Sequence, residues 1–191
     1  MPLKIFYSRA PSLEQAQFTL SPPSWLQKKW VKNSLTILIF IGLFLLLRAF
    51  MQGDVMQGKA PVMKVQSLTG EVLDLQALTQ QGQPVLVHIW ATWCPICDLS
   101  KGGIESIAKD YAVINIATQS GSDAELLAFA QKNNMNPAII VNDTTGMWMQ
   151  TFGTKAVPAD FIIAPNGEIA FVEIGLTSAW GLRLRLWWAQ Q

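Results

Sequence analysis

Charge is scarce in this chain, and so are the residues that hold metals. Only 14% of the 191 residues are charged, and fourteen Lys and Arg against thirteen Asp and Glu leave a formal net charge of +1. That balance provides no concentrated basic face, which removes nucleic acid as a partner. There is one histidine, His88, and there are two cysteines, Cys94 and Cys97. A zinc site needs more soft ligands than these, and a second Cys-x-x-Cys is missing. Two cysteines three residues apart make no disulfide scaffold, and a crosslink closing so short a loop removes little chain entropy. No repeat or low-complexity tract is present. Apolar residues, by contrast, are abundant: half the chain is hydrophobic, high for a soluble domain, which directs attention to a membrane segment.

Residues 34–47, Ser-Leu-Thr-Ile-Leu-Ile-Phe-Ile-Gly-Leu-Phe-Leu-Leu-Leu, carry no charge. The run is shorter than the ~20 residues a bilayer asks for. Snorkelling by the apolar stems of Lys32 and Arg48 makes up the difference. The run is apolar on every face rather than striped, which argues against a buried core helix. A cleaved signal peptide, with Ala49 at its cleavage site, is the other reading. The long preceding tail and the want of a small-x-small site favour a retained signal-anchor. Lys28, Lys29 and Lys32 upstream against one Arg downstream place the N-terminus in the cytoplasm. The expected organisation is a cytoplasmic tail over 1–32, a transmembrane signal-anchor over 33–51, a tether over 52–60 and a globular domain over 61–191. That domain faces the side where disulfide chemistry is permitted.

Within the domain, strands over 62–68 and 72–75 flank Thr69-Gly70-Glu71 as a hairpin. An apolar run over 85–90 suits a buried central strand. A helix is expected over 95–110, a strand over 113–117, and a helix over 123–133 capped by Ser122 or Asp123. Residues 138–141 make a further strand. Strands over 161–164 and 169–174 are joined by Pro165-Asn166-Gly167-Glu168, whose Asn-Gly signals a hairpin turn. A helix over 178–188 closes the chain. This alternation gives an α/β sandwich with a mixed central sheet. Leu182, Leu184 and Leu186 alternate with Arg183 and Arg185, a pattern shared by strand and helix; the arginines read as a solvated face. Trp187 and Trp188 read as packing against the sheet, with an interfacial belt as the second reading.

The segment Val87-His-Ile-Trp90-Ala-Thr-Trp93-Cys94-Pro-Ile-Cys97 ends an apolar strand and opens a helix, and it resembles the thioredoxin active site, Trp-Ala-x-Trp-Cys-x-x-Cys. Gly153-Thr-Lys-Ala-Val157-Pro158, followed by a strand and Pro165-Asn166-Gly167-Glu168, resembles the second half of the same family. Similarity runs from about residue 60 to the C-terminus. The N-terminal hairpin, the anchor and the helix-strand insert over 123–141 are similar to the TlpA/ResA-like branch of membrane-anchored thioredoxins, and within it to the suppressor-of-copper-sensitivity protein D type. The resemblance implies a thioredoxin fold and a protein disulfide oxidoreductase of the bacterial inner membrane with its domain in the periplasm. It implies no cofactor beyond a redox-active Cys94–Cys97 disulfide. It implies reduction of protein disulfides, such as those of apocytochrome c or copper-handling proteins, with electrons from a membrane thiol-disulfide interchange protein. The opposite direction, a disulfide donor, stays open. The proline matching Pro158 is cis in the family and lies against the cysteines, and the Val157 backbone would pair with an extended substrate segment. Ala159-Asp160 departs from the usual Pro-Thr there.

Elementary chemistry points to the same roles. A cysteine at a helix start is exposed to unsatisfied N–H groups and the macrodipole, which favour the thiolate. Cys94 is therefore the expected nucleophile, and Cys97, one turn on, attacks Cys94 to resolve the mixed disulfide. Trp93 shields the site and meets substrate; Trp90 is core. His88 occupies the place where many thioredoxins carry a buried acid that relays a proton, and a neutral imidazole can do so near pH 7. The alternative is a buried His satisfied by a backbone carbonyl. Relatives often carry a Glu at the start of the insert; here Thr118-Gln119-Ser120-Gly121 has no acid, and Asp123 and Glu125 suit helix capping. A Cu(I)-binding metallochaperone is a second functional reading, since reduced cysteine pairs suit Cu(I). A peroxidase is a third, against which the Trp-Cys-x-x-Cys argues.

Overall fold

The computed structural model describes residues 29–52 and 55–191, with the side chains of the first segment over 33–46. The expected cytoplasmic tail lies outside the described residues save for its last helical turn, as do the side chains of Lys32 and Arg48. The chain divides into two units, Met1–Leu47 and Arg48–Gln191. Helix α1 runs over Lys29–Gln52, so its last five residues count with the second unit. Its side chains from 33 to 46 are all exposed, as expected of a run apolar on every face with no protein layer to bury it. Among the described residues, no helix is long and apolar enough to cross a membrane.

The second unit is built on a six-stranded mixed sheet. Its strands are β1 (Gly58–Lys59), β4 (Val85–Trp90), β5 (Ala112–Thr118), β6 (Ile140–Asp143), β7 (Ala159–Ile163) and β8 (Glu168–Ile174), in the order β1-β8-β7-β4-β5-β6. β4, β5 and β6 are parallel, whereas β7 runs antiparallel to both β4 and β8. β2 (Lys64–Gln66) and β3 (Val72–Asp74) form the expected hairpin as a separate two-stranded sheet. The helices are α2 (Leu75–Thr79), α3 (Cys97–Ile107), α4 (Asp123–Lys132), α5 (Met147–Thr151) and α6 (Ala179–Ala189).

β4 is buried at all six positions, and its alternation feeds both faces of the sheet. Val85, Val87 and Ile89 join Met63, Leu75, Ile114, Phe152 and Phe161 on one side. On the other, Leu86 meets Ile104 and Ile107 of α3 and Leu182 and Leu186 of α6. Trp90 reaches a third cluster that contains both cysteines.

The structure departs from the sequence expectation in places that have local causes. Gly58 and Lys59, read as tether, pair with Ile169 and Glu168 and extend the sheet by one edge strand. Short helices α2 and α5 carry too few turns for a 3.6-residue period to register. The strand expected at 138–141 begins at Ile140; Pro137–Ile139 form a 3-10 turn, with the Asn136 side chain accepting from the Ala138 N–H. Residues 182–186 are helical. Trp187 and Trp188 are 53% and 64% exposed, so they do not pack on the sheet: Leu182 and Leu186 fill that role. Arg183 and Arg185 are not a solvated face either, because they pair with Asp110 and Glu173 at 2.7 Å each.

Candidate active site

Parallel β4 ends at Trp90, and the chain turns immediately into the Cys-x-x-Cys. The Cys94 N–H donates to the Ala91 carbonyl at 3.2 Å, and the Cys97 N–H to the Cys94 carbonyl at 3.1 Å. α3 therefore starts at Cys97 rather than at Pro95. Pro95 has no N–H to offer the turn, and Ile96 stands at the N-cap position without a side-chain hydrogen bond. Of the first-turn N–H groups of α3, that of Leu99 donates to the Ile96 carbonyl at 3.1 Å. Another, the Cys97 N–H, lies 3.3 Å from Cys94 Sγ.

Cys94 and Cys97 are joined in a disulfide with Cα atoms 5.3 Å apart. Both are largely buried, Cys97 at 1% exposure and Cys94 at 6%. Cys94 Sγ sits 3.7 Å from the Val157 carbonyl oxygen, and the Val157–Pro158 bond is cis, as the resemblance implies. The three expected residues Cys94, Val157 and Pro158 are thus together. Trp93 stands at the rim, 59% exposed, its indole N–H donating 3.1 Å to the Gln119 carbonyl. Trp90 is core, stacked at a tilt on Phe129. Around the disulfide, Trp93, Ile96 and Leu99 are exposed apolar side chains. Beyond them a groove of about 410 Å³ runs between α3 and the start of α6, lined by Leu99, Gly103, Ile104, Leu176, Ala179 and Leu182.

His88 is buried, and its partner is not a backbone carbonyl. Its Nδ1 shares a 2.6 Å hydrogen bond with Oδ1 of Asp160, equally buried. The register explains the meeting: His88 lies opposite Asp160 on β7 and Asn115 on β5. A polar row Asn115–His88–Asp160 therefore crosses the sheet between the apolar row of Leu86, Val113 and Ile162 and the row that ends at Trp90 and Ala117. Among the described residues, neither side-chain polar atom of Asn115 has a partner, nor has Trp90 Nε1 or Glu105 Oε1. Burial pushes the Glu105 carboxyl above its usual 4.5, against a lowering hydrogen bond from the Asn136 N–H.

Asp160 and Asn115 were not legible as functional partners. The sequence signal for Asp160 was only its departure from Pro-Thr, two residues past Pro158 and so on the same strand face. Among the described residues, no cluster of three or more His, Cys, Asp or Glu side chains stands ready for a metal ion. At the insert, Ser122 is the cap of α4 and forms a reciprocal capping box with Glu125. The Ser122 N–H and hydroxyl donors hold the exposed Glu125 carboxyl below its usual range. Ser120 serves the site instead: its hydroxyl accepts from the Thr92 N–H and donates to the Thr118 carbonyl, fixing the Thr92–Trp93 turn.

Residues 56–172 match the AhpC/TSA family. The chain belongs to that family. A thioredoxin-like protein from Haemophilus influenzae is 30% identical over 85% of this chain and 96% of its own length. The thiol:disulfide interchange protein DsbE from Escherichia coli K12 is 31% identical over 60% of this chain and 63% of that protein. Among solved structures, a thioredoxin-family thiol:disulfide interchange protein from Chlorobium tepidum superposes with a TM-score of 0.61 at 18% identity, over 72% of this chain and 99% of that one. StoA from Bacillus subtilis superposes with a TM-score of 0.56 at 22% identity, over 65% and 96%. The fold is thioredoxin-like, and with the Cys94–Cys97 pair in place the chain is a thiol–disulfide oxidoreductase of thioredoxin type.

Proposed function

We propose that this protein is a membrane-anchored reductant of protein disulfides outside the cytoplasm, of the TlpA/ResA-like branch and within it the suppressor-of-copper-sensitivity protein D type. The observation that carries the chemistry is the placement of Cys94 Sγ between the Cys97 N–H at 3.3 Å and the Val157 carbonyl at 3.7 Å. After reduction, the N–H and the open start of α3 favour a Cys94 thiolate. That thiolate attacks a substrate disulfide, forming a mixed disulfide and releasing one substrate thiolate. Cys97 then loses its proton and attacks Cys94, restoring the Cys94–Cys97 bond and releasing the second substrate thiol. Two electrons have moved to the substrate, and no further cofactor is involved.

The substrate segment lies along Val157 and Pro158, flanked by Trp93. The His88–Asp160 pair handles the proton of Cys97: with Nδ1–H held by Asp160, Nε2 is the basic nitrogen. The reducing direction is supported by the surroundings of the sulfurs. A carbonyl oxygen beside Cys94 and apolar packing around both cysteines limit how far thiolate is stabilised, and an oxidant is strong when its reduced form is stabilised.

Anchoring through residues 33–51 of α1, with the tail over 1–32 cytoplasmic, is supported by the uncharged stretch 34–47 and by its full helicity. The partners that follow are a membrane thiol-disulfide interchange protein as electron donor and proteins of cytochrome c maturation or copper tolerance as acceptors. The relatives named for thiol:disulfide interchange favour this over copper delivery. Stoichiometric tight Cu(I) binding by the reduced protein would favour the metallochaperone.

Cys97→Ser and Cys94→Ser variants of the full chain test the reading. C97S accumulates mixed disulfides with substrate proteins that dithiothreitol releases, and C94S forms none. Normal turnover by C97S contradicts the two-cysteine mechanism.

A further inference from the structure

Helix α6 closes the fold with an apolar face turned to solvent. Trp180, Leu184, Trp187 and Trp188 are 84%, 60%, 53% and 64% exposed. At about 100° per residue these four positions fall within an arc of about 100°. Leu182 and Leu186, on the opposite side, are buried against Ile162 and Phe171. The helix has no freedom to roll that face inward. Arg183 on one flank pairs with Asp110 and donates to the Ser106 carbonyl; Arg185 on the other pairs with Glu173 and donates to the Gly181 carbonyl. Three tryptophans and a leucine thus present on the order of 500 Å² of fixed apolar surface, the size of patch that marks an interaction site.

We propose that this face of α6 docks the domain on the lipid bilayer surface, an inference that rests on anchoring through α1. Two observations select lipid as the occupant. Tryptophan is the side chain that settles at the membrane–water boundary, with its ring among apolar groups and its N–H toward water. The second is where the chain arrives. Five residues separate the end of α1 at Gln52 from β1 at Gly58, a reach of about 20 Å at full extension. β1 is the edge strand beside β8, and α6 covers the β7–β8 side of that sheet. The chain therefore enters this domain at the edge of the sheet next to the strands that α6 covers.

The test uses the full chain with phosphatidylethanolamine–phosphatidylglycerol vesicles whose acyl chains are brominated either near the glycerol or near the methyl end. Tryptophan emission of the wild type is compared with that of the W180Q/W187Q/W188Q variant, so that the remaining tryptophans cancel. Docking predicts that the difference emission is quenched several-fold more by the shallow bromines than by the deep ones. The variant keeps its dithiothreitol-linked redox equilibrium, which shows that it is folded. Difference emission untouched by either lipid overturns the proposal. So does a face taken by a second copy, seen as a cross-linked dimer lost in the variant with no quenching in the wild type. Extraction with alkaline carbonate reads the anchor separately. A chain washed from the vesicles refutes anchoring whatever the quenching shows, whereas a retained chain with unquenched α6 tryptophans refutes docking alone.

Discussion

His88 and Asp160 face each other across neighbouring strands with Nδ1 and Oδ1 2.6 Å apart, both sealed from solvent. Seventy-two residues separate them in sequence, and only the antiparallel register of β4 with β7 brings them together. A polar pair so deep is retained at a cost, because packed hydrophobic residues of the same volume usually serve stability at least as well.

That cost sets up the first prediction. Asp160→Ala leaves His88 buried without its partner and destabilises the domain by about 3 kcal/mol in urea unfolding. Replacing both residues, H88L with D160L, is less damaging than the single change, because no orphaned polar group remains. The relay role makes a separate demand. In H88Q, which keeps a polar side chain but cannot relay a proton, Cys97 resolves a mixed disulfide on Cys94 several-fold more slowly. A resolution rate in H88Q equal to that of the wild type leaves the pair structural.

Trp93 is predicted to matter for protein substrates and little for the fold. Its ring is mostly exposed and held by one hydrogen bond to the Gln119 carbonyl. Trp93→Ala should raise KM for a protein disulfide several-fold while the reaction of the Cys94–Cys97 bond with dithiothreitol stays within a factor of two. The stability change is about 1 kcal/mol or less. Equal losses with both reagents would assign Trp93 to the chemistry of the disulfide instead.

Glu105 gives a pH-dependent prediction with a definite sign. Burial raises its folded pKa above 4.5, so the folded state prefers the protonated carboxyl. Its favourable contribution is present below the unfolded pKa and is lost as pH rises through the folded value. Glu105→Gln keeps an acceptor for the Asn136 N–H and removes the partly buried charge. The variant is therefore more stable than the wild type at pH 7, and the difference closes as pH falls toward 4. Chemical unfolding at the two pH values measures it; a variant less stable at pH 7 contradicts the assignment.

Much of the site was readable before the fold. Val85 to Trp90 announced a buried strand by composition alone, and the Trp-Cys-x-x-Cys that follows fixed where the helix starts to within two residues. Asn166-Gly167 marked its hairpin because Gly167 takes a positive φ of 81°, which a side chain would resist. What could not be read depends on register. The pairing of Asp160 with His88, and the place of Asn115 beside them, follow from which residues of three strands stand abreast, information that alternation does not contain. Gly58 and Lys59 are too few to give a strand signal and are recruited by the free edge of β8. In α6, apolar residues on both sides erase the stripe that distinguishes packing from exposure, so Trp187 and Trp188 were assigned to the wrong face.

The central claim is that Cys94 and Cys97 form a reversible two-electron couple poised to reduce. The direct measurement is the equilibrium reduction potential of the full chain in detergent against dithiothreitol and glutathione buffers. The account predicts a single two-electron transition near the about −270 mV typical of thioredoxin. A value near the about −120 mV of strong oxidants would contradict the reducing direction and make the protein a disulfide donor.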